Sequence, residues 1–390
     1  VFAYDTGDTV NSYKGEPTTN MSLNPTFDST TNWLYVTNGG GGFSVSNNYG
    51  KITAGSVGSY TYLYQHQAIT VASNESITWS VEFKNNVVGD YAIRVVLFLN
   101  GIVKAQPVVY FSLDGTGGTV RKSVTTSHVD GASHIRADIM QGSYYGSINT
   151  DTDVEFTNAQ LERNSHATPF VNGTRSATEG LKDLTGNHSI DISNINGFDS
   201  NANLRFDGTD DTATIDSSFL SNVNTNAGTY EAVFKAEVGT TNLSLMTFYD
   251  SADYNNIRGG FAMGNGTSQY SDEIFSYLHY NPDFMIIARD SSVPNEYTLR
   301  DGKYHHIAIV VADGDHRMYL DGVEQSFSYR LGNASVTGSF ISSPTYDTVK
   351  IGTDAYSNGR FYFDGDIPIQ KIYNRALTAG EVKNNYSHYK

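Results

Sequence analysis

The feature that most narrows the fold is a recurrence of short alternating apolar runs, many of them ended by an Asn-Gly or Asp-Gly pair. Tyr60–Tyr64, Ser76–Phe83, Tyr91–Leu99 and Val108–Leu113 are such runs in the first half of the chain. Asn100-Gly101 follows the apolar stretch Ile93–Leu99, and Asp114-Gly115 closes the next run. In the second half a buried-strand pattern ends at Val311 and Asp313-Gly314 turns the chain. Arg317–Leu320 then returns, and Asp321-Gly322 turns it again. Such pairs tolerate the positive φ of a two-residue hairpin turn, and a period of two is that of strands with one buried face. Helical periodicity is nearly absent. The exception is near the carboxyl end, where Thr378 and Glu381 have the spacing of a capping box. The expectation is an all-β chain: two tandem antiparallel β-sandwich (jelly-roll) domains with one short C-terminal helix.

Length and composition agree. At 390 residues the chain can fill two separate cores. Aromatic residues are 13% of it and charged residues 17%, with 37 glycines spread among the runs, a composition suited to strands and turns. A net charge of -16 repels phosphate backbones, so no nucleic acid is expected as partner. The absence of cysteine removes disulfides, thiolate metal sites and cysteine nucleophiles together. No apolar run has the length of a membrane span, so membrane insertion is not expected.

Residues 1–23 carry no periodic pattern and read as an extended N-terminal arm, lying across a neighbouring subunit, continuing from an upstream domain, or loose in solvent. The first sandwich is expected over 24–170 and the second over 171–390, with Pro169 forcing extended backbone before it at the join.

Sequence phrasing adds a resemblance. Val349–Gly352, Phe361–Ile367, Ile372–Leu377 and the capped turn ending at Tyr386 close the second domain. Upstream, Leu204–Asp211, Tyr230–Phe234, Gly302–Val311 and Tyr319–Val323 stand in matching order. Over roughly 180–390 this resembles the laminin-G-like, concanavalin A-like lectin/glucanase superfamily. The first domain, opening on Asn24–Phe27 and closing on Gln160–Glu162, resembles jelly-roll carbohydrate-binding modules. The join, with Ala167–Val171 and Gly180–Asn187, resembles tail, fibre and decoration proteins of bacterial viruses.

The superfamily includes glucanases, whose signature is a strand with acids at alternate positions. The nearest match is Asp151, Asp153 and Glu155, but it lies in the first domain and has a short Asp at the first position. No catalytic pair emerges, and the chain is read as non-enzymatic. His305 and His306 are adjacent on a strand and point to opposite faces, so they read as structural. Asp207, Asp210 and Asp211 crowd one turn, and Asp364 and Asp366 flank Gly365 in another; acidic loops of this kind suit calcium, although Asp-Gly is also ordinary turn chemistry.

Aromatic platforms hold sugars by stacking on their apolar faces. Trp33, Tyr35, Tyr144, Tyr145 and Tyr254 are the candidates for carbohydrate contact, with Trp79 considered beside them. Tyr60, Tyr62 and Tyr64 share one face of a strand; facing inward they are core, facing outward a platform, and the core reading is preferred.

The functional expectation is a virion structural or adhesive protein, a capsid decoration, fibre or tail component. It would sit at the virion surface and bind host-surface glycans. Other virion proteins and further copies of the chain are its expected partners. The alternative is a bacterial extracellular or cell-surface lectin or adhesin module. A glycan hydrolase comes third.

Overall fold

The structure is a computed structural model. It describes residues 1–56, 58–72, 74–127, 131–142, 152–196, 198–199, 203–223, 227–238, 243–254, 257–263, 274–280, 283–289, 299–312, 315–331, 340–341, 345–354 and 361–389. The fold is all-β with antiparallel pairing throughout the described strands, and it divides into two compact units.

The inserted unit, residues 18–175, is a sandwich. One sheet runs in the order Val108–Asp114, Val88–Leu99, His134–Gly142, Tyr60–Ala68 and Leu34–Asn38, with Ile102–Ala105 added to Val88–Leu99. The other runs Thr119–Thr126, Ile77–Lys84, Val154–Glu162, Tyr49–Thr53 and Gly42–Ser46. Between them lie Phe27, Trp33, Trp79, Phe83, Ile93 and Phe156. The Asn100-Gly101 turn forms as read, both residues at positive φ, with Leu99 paired to Ile102. Asp114-Gly115 ends its strand differently. The following strand, Thr119–Thr126, pairs with Ile77–Lys84 in the opposite sheet, so the chain crosses over instead of making a hairpin.

The second unit comprises residues 1–17, 176–199 and 203–390. One sheet has the order Phe2–Asp5, Asp364–Tyr373, Ala227–Ala236, Tyr304–Ala312, Asp315–Leu320 and Val323–Gln325, with Phe206–Asp207 on the edge of Asp364–Tyr373. The other begins at Ile190–Asn194 and passes through Thr212–Ile215, Thr348–Ile351 and Leu243–Tyr249 to Ile257–Met263, Ile274–Tyr280, Asp283–Arg289 and Phe327–Leu331. Asp321 and Gly322, both at positive φ, join paired residues Leu320 and Val323, whereas Asp313-Gly314 lies outside the described residues. The C-terminal helix Ala379–His388 starts at the expected capping box: the Glu381 amide donates to the Thr378 hydroxyl at 3.2 Å and the Thr378 amide to the Glu381 carboxylate at 2.9 Å. Its Val382 packs with Leu377 against Ala308, Val310 and Tyr319 on the outer face of the first sheet.

The amino end departs from the sequence reading. Residues 1–17 are not an arm without a core. Phe2 pairs with Ile372 and Asp5 with Ile369, and Phe2 and Tyr4 are each only 1% exposed. The Tyr4 hydroxyl donates to the Ile367 carbonyl at 3.0 Å. Further along, the Lys14 amide donates to the Gly180 carbonyl and the Lys182 amide to the Ser12 carbonyl. A four-residue strand is too short to show a period, and its partner lies more than 360 residues away. The boundary at 23/24 therefore shifts to 17/18, and the second unit is discontinuous in sequence.

Candidate functional site

The strand Tyr60–Ala68 decides what the inserted unit presents to solvent. Its inward residues are Thr61, Leu63 and Gln65, all fully buried. Gln65 is tied down there: its amide donates to the Ser22 hydroxyl at 2.7 Å and its carbonyl accepts from the Leu23 amide at 2.8 Å. The alternation then sends Tyr60, Tyr62, Tyr64 and His66 outward. This corrects the preferred core reading of the three tyrosines. Hydropathy favours them inside, but the phase of an alternating strand follows whichever face the neighbours can fill.

On that outer face the rings form a continuous ladder. Centroids are 6.1 Å apart from Tyr60 to Tyr62, 5.6 Å from Tyr62 to Tyr64, 5.3 Å from Tyr64 to His66 and 6.0 Å from His66 to Phe98. Burial and then the Arg136 charge push the His66 imidazole below its ordinary value, so at neutral pH it is an uncharged ring. Leu34, opposite Tyr64, and Tyr110, opposite Ala92, add apolar surface at 55% and 47% exposure.

Charge sits beneath and among these rings. Asp138 lies opposite both Tyr64 and Arg94, and its carboxylate accepts from Arg94 Nε at 2.5 Å. Arg136 Nε lies 2.9 Å from the other oxygen of Asp138. Arg94 and Asp138 are fully buried; Arg136 is partly open. The Arg136 guanidinium stands 5.6 Å from the Tyr64 ring centre, 5.9 Å from Phe98 and 6.0 Å from Tyr62, within cation–π range of all three. Burial drives the Asp138 carboxyl upward against the pull of the two arginines. Around the rings two guanidinium groups meet the one carboxylate of Asp138, and Asp90, further along the same face, accepts from the Ser112 hydroxyl at 2.5 Å.

The other carbohydrate candidates fare differently. Trp33 is a core residue, 5% exposed and stacked on Phe27 at 4.7 Å, and Trp79 is fully buried; neither is a platform. Tyr35 is exposed on the edge strand Leu34–Asn38, 6.4 Å from Phe43, on the opposite face from the ladder. Tyr254 is half-buried in a turn of the second unit. Tyr144 and Tyr145 lie outside the described residues. The structure thus does not gather the five named aromatics into one site.

The acidic turn is gathered only in part. Carboxylate oxygens of Asp207, Asp210 and Asp211 come within 4.8 Å of one another. Asp207 Oδ1 accepts from the amides of Thr209, Asp210 and Asp211. Both oxygens of Asp211 are likewise used, by the amides of Asn196 at 2.7 Å and Asp207 at 3.0 Å. Burial, with the charges of Asp207 and Asp210, pushes Asp211 up, whereas the backbone amides hold Asp207 below its ordinary value against the upward push of burial. Asp364 pairs across the strands with Asp207 and lies 3.7 Å from Arg205, while Asp366 accepts from the Tyr304 hydroxyl at 3.1 Å, away from the cluster. Calcium takes six to eight oxygens. In this turn three of the six carboxylate oxygens, Asp207 Oδ1 and both of Asp211, accept from backbone amides.

Asp153 and Glu155 are held by lysines: Lys51 lies 2.8 Å from Asp153, and Lys84 pairs with Glu155. Burial alone would raise Asp153, but Lys51 and the Ala54 amide hold it below its ordinary value, the wrong direction for a general acid. Asp151 is outside the described residues. His305 bridges Asp321 at 3.0 Å and Asp301 at 3.2 Å, whereas His306 lies buried 2.8 Å from Glu231, which also accepts from the Tyr373 hydroxyl and the Asn385 amide. Each histidine has its own structural partners.

Part of the second unit matches a known family model. Residues 206–383 match the family model described as the concanavalin A-like lectin/glucanases superfamily. Similar solved structures include the carbohydrate-binding module CBM40 of Ruminococcus gnavus IT-sialidase bound to alpha2,6 sialyllactose; it is 15% identical, with 46% of this chain and 94% of that chain covered and a TM-score of 0.35. Domain 4 of AbnA, a GH43 extracellular arabinanase from Geobacillus stearothermophilus in complex with arabinotriose, is 18% identical, covering 54% and 92%, with a TM-score of 0.34. A leech intramolecular trans-sialidase is 19% identical, covering 41% and 23%, with a TM-score of 0.34. A search of curated proteins finds no match.

Proposed function

We propose that this chain is a non-catalytic glycan-binding protein whose sugar-contacting surface is the outer face around Tyr60, Tyr62 and Tyr64. The observation that carries this reading is the ring ladder with Arg136 set among its rings. Outward-facing, partly exposed aromatic patches on a sheet mark ligand surfaces, and rings at successive steps suit successive sugar units. The Arg136 guanidinium among the rings extends the ligand class to neutral or acidic glycans. A concanavalin A-like lectin/glucanase domain over 206–383 in the same chain is in keeping with this.

A glycan array followed by calorimetry is the test. Replacing Tyr62 and Tyr64 together by Ala should weaken the best glycan at least about tenfold, since aromatic anchors dominate such contacts. The melting temperature should fall by only a few degrees, because both rings are partly open to solvent and only Tyr62 packs on the buried pair Ala92 and Met140. Unchanged affinity in that variant, or a wild-type chain that binds nothing on the array, ends the proposal.

The setting we propose is display at the surface of a bacterial virus, as a decoration, fibre or tail component. It is supported by the two sandwich units in one chain, the lack of cysteine and ion-paired acids where a hydrolase would need a free pair. Recovery of the chain from bacterial secretions, and not from purified particles, would favour the bacterial adhesin instead.

For calcium the expected result is negative. Millimolar calcium should leave the melting temperature of the full chain within about 1 °C, because stabilisation by a ligand follows its concentration over its Kd. A rise of several degrees that disappears in Asp210→Asn would restore a cation to that turn.

A further inference from the structure

The second unit carries a cleft that none of the foregoing uses. It is an open depression of about 590 Å³ on the outer face of the sheet containing Phe2–Asp5, Asp364–Tyr373, Ala227–Ala236 and Tyr304–Ala312, beside the end of the C-terminal helix. Buried Val233 and Ile369 contribute apolar surface to its lining. Tyr304, 56% exposed, and Tyr389, which follows the helix, contribute rings. Carboxylates of Asp5, Asp199 and Asp366 face one lysine, Lys235.

The polar groups are held in place. The Tyr304 hydroxyl donates to Asp366 at 3.1 Å, with Lys235 Nζ 3.6 Å from the same oxygen and 5.8 Å from the Tyr304 ring centre. Lys371 donates to the Tyr389 hydroxyl at 2.7 Å. Asp5 uses Oδ1 to accept from the Gly7 amide at 2.8 Å, which leaves its second oxygen for a ligand. Burial first, then the charges of Asp366 and Asp199, push Tyr304 up to about 12, so it remains a donor across the physiological range.

We infer that this cleft is a second ligand site, for a single sugar unit without an acid group. Apolar side chains and rings present surface to the apolar face of a pyranose, while fixed carboxylates accept its hydroxyl protons. The volume is within the range of small-ligand pockets. Three carboxylates, Asp5, Asp199 and Asp366, against two lysines, Lys235 in the lining and Lys371 at the Tyr389 hydroxyl, disfavour an anionic sugar relative to its neutral counterpart. The site needs both ends of the sequence: Asp5 comes from the N-terminal strand and Tyr389 from beyond the C-terminal helix.

The test is an NMR titration of the full chain with glucose, galactose, mannose, N-acetylglucosamine and glucuronate. It is carried out in the Tyr62→Ala/Tyr64→Ala background, so that loss of the first surface cannot mask or mimic the result. One neutral sugar should bind, and both Tyr304→Ala and Asp5→Asn should weaken it about tenfold, the order expected for losing a stacking ring or a charge-assisted hydrogen bond. Glucuronate should bind at least about tenfold more weakly than its neutral counterpart, glucose. Binding by none of the neutral sugars, glucuronate binding as tightly as glucose, or undiminished affinity in both variants overturns the inference. Tyr304 is largely exposed and Asp5→Asn keeps its shape, so neither change is expected to unfold the unit.

Discussion

Replacing Phe2 and Tyr4 by Ala is expected to unfold the second unit at temperatures where the intact chain is folded, although both residues lie in its first five positions. Each side chain is 1% exposed in the core of that unit, where Phe2 meets Phe219 at 5.9 Å. Tyr4 contributes in addition the hydroxyl bond to Ile367. Truncating a buried aromatic costs about 3–5 kcal/mol, and a whole domain holds only about 5–15 kcal/mol. Either single variant should lower the melting temperature of one transition by roughly 10 °C in calorimetry of the full chain, with the double variant losing that transition altogether. The inserted unit, whose core shares none of these residues, should melt as before. Two unchanged transitions in the Phe2→Ala variant would return residues 1–17 to the status of a loose arm.

Asp138→Ala should be the most damaging single change in the inserted unit. It leaves Arg94, fully buried on the adjacent strand, as a charge without its carboxylate. Removing one member of such a pair costs about 3–5 kcal/mol, whereas replacing both by apolar residues of similar volume is often near neutral. Urea denaturation should therefore show a large loss for Asp138→Ala and a much smaller one for the double change Arg94→Met with Asp138→Leu. Glycan affinity should fall in both variants, because Arg136 loses the oxygen that positions it among the tyrosine rings. A loss of less than about 1 kcal/mol for Asp138→Ala would mean that the pair is solvated after all.

The fold class and the candidate sites were legible to different degrees. The Asn100-Gly101 and Asp321-Gly322 turns and the Thr378–Glu381 cap were readable because each is a local rule: positive φ over two residues, or a hydrogen bond spanning three. The outward face of Tyr60–Ala68 was not readable in the same way. A strand that alternates tyrosine with Thr61, Leu63 and Gln65 has two admissible phases, and composition prefers the wrong one. Trp33 was misplaced by the same kind of argument, since a residue rich in binding potential is also the best filler for a core. Asp207, Asp210 and Asp211 were correctly expected to crowd together, but only the amide contacts reveal that three of their six carboxylate oxygens already accept from the backbone.

By itself, then, the order of residues determined two sandwiches of antiparallel strands and the capped C-terminal helix, because periodicity, turns and caps act over a few neighbouring positions. Only the tertiary structure decided that Phe2–Asp5 belongs beside Asp364–Tyr373 and that Tyr60, Tyr62 and Tyr64 face water. Strand partner and strand phase are properties of which distant side chains compete for the same interior volume. That competition leaves no trace in any short window of the chain.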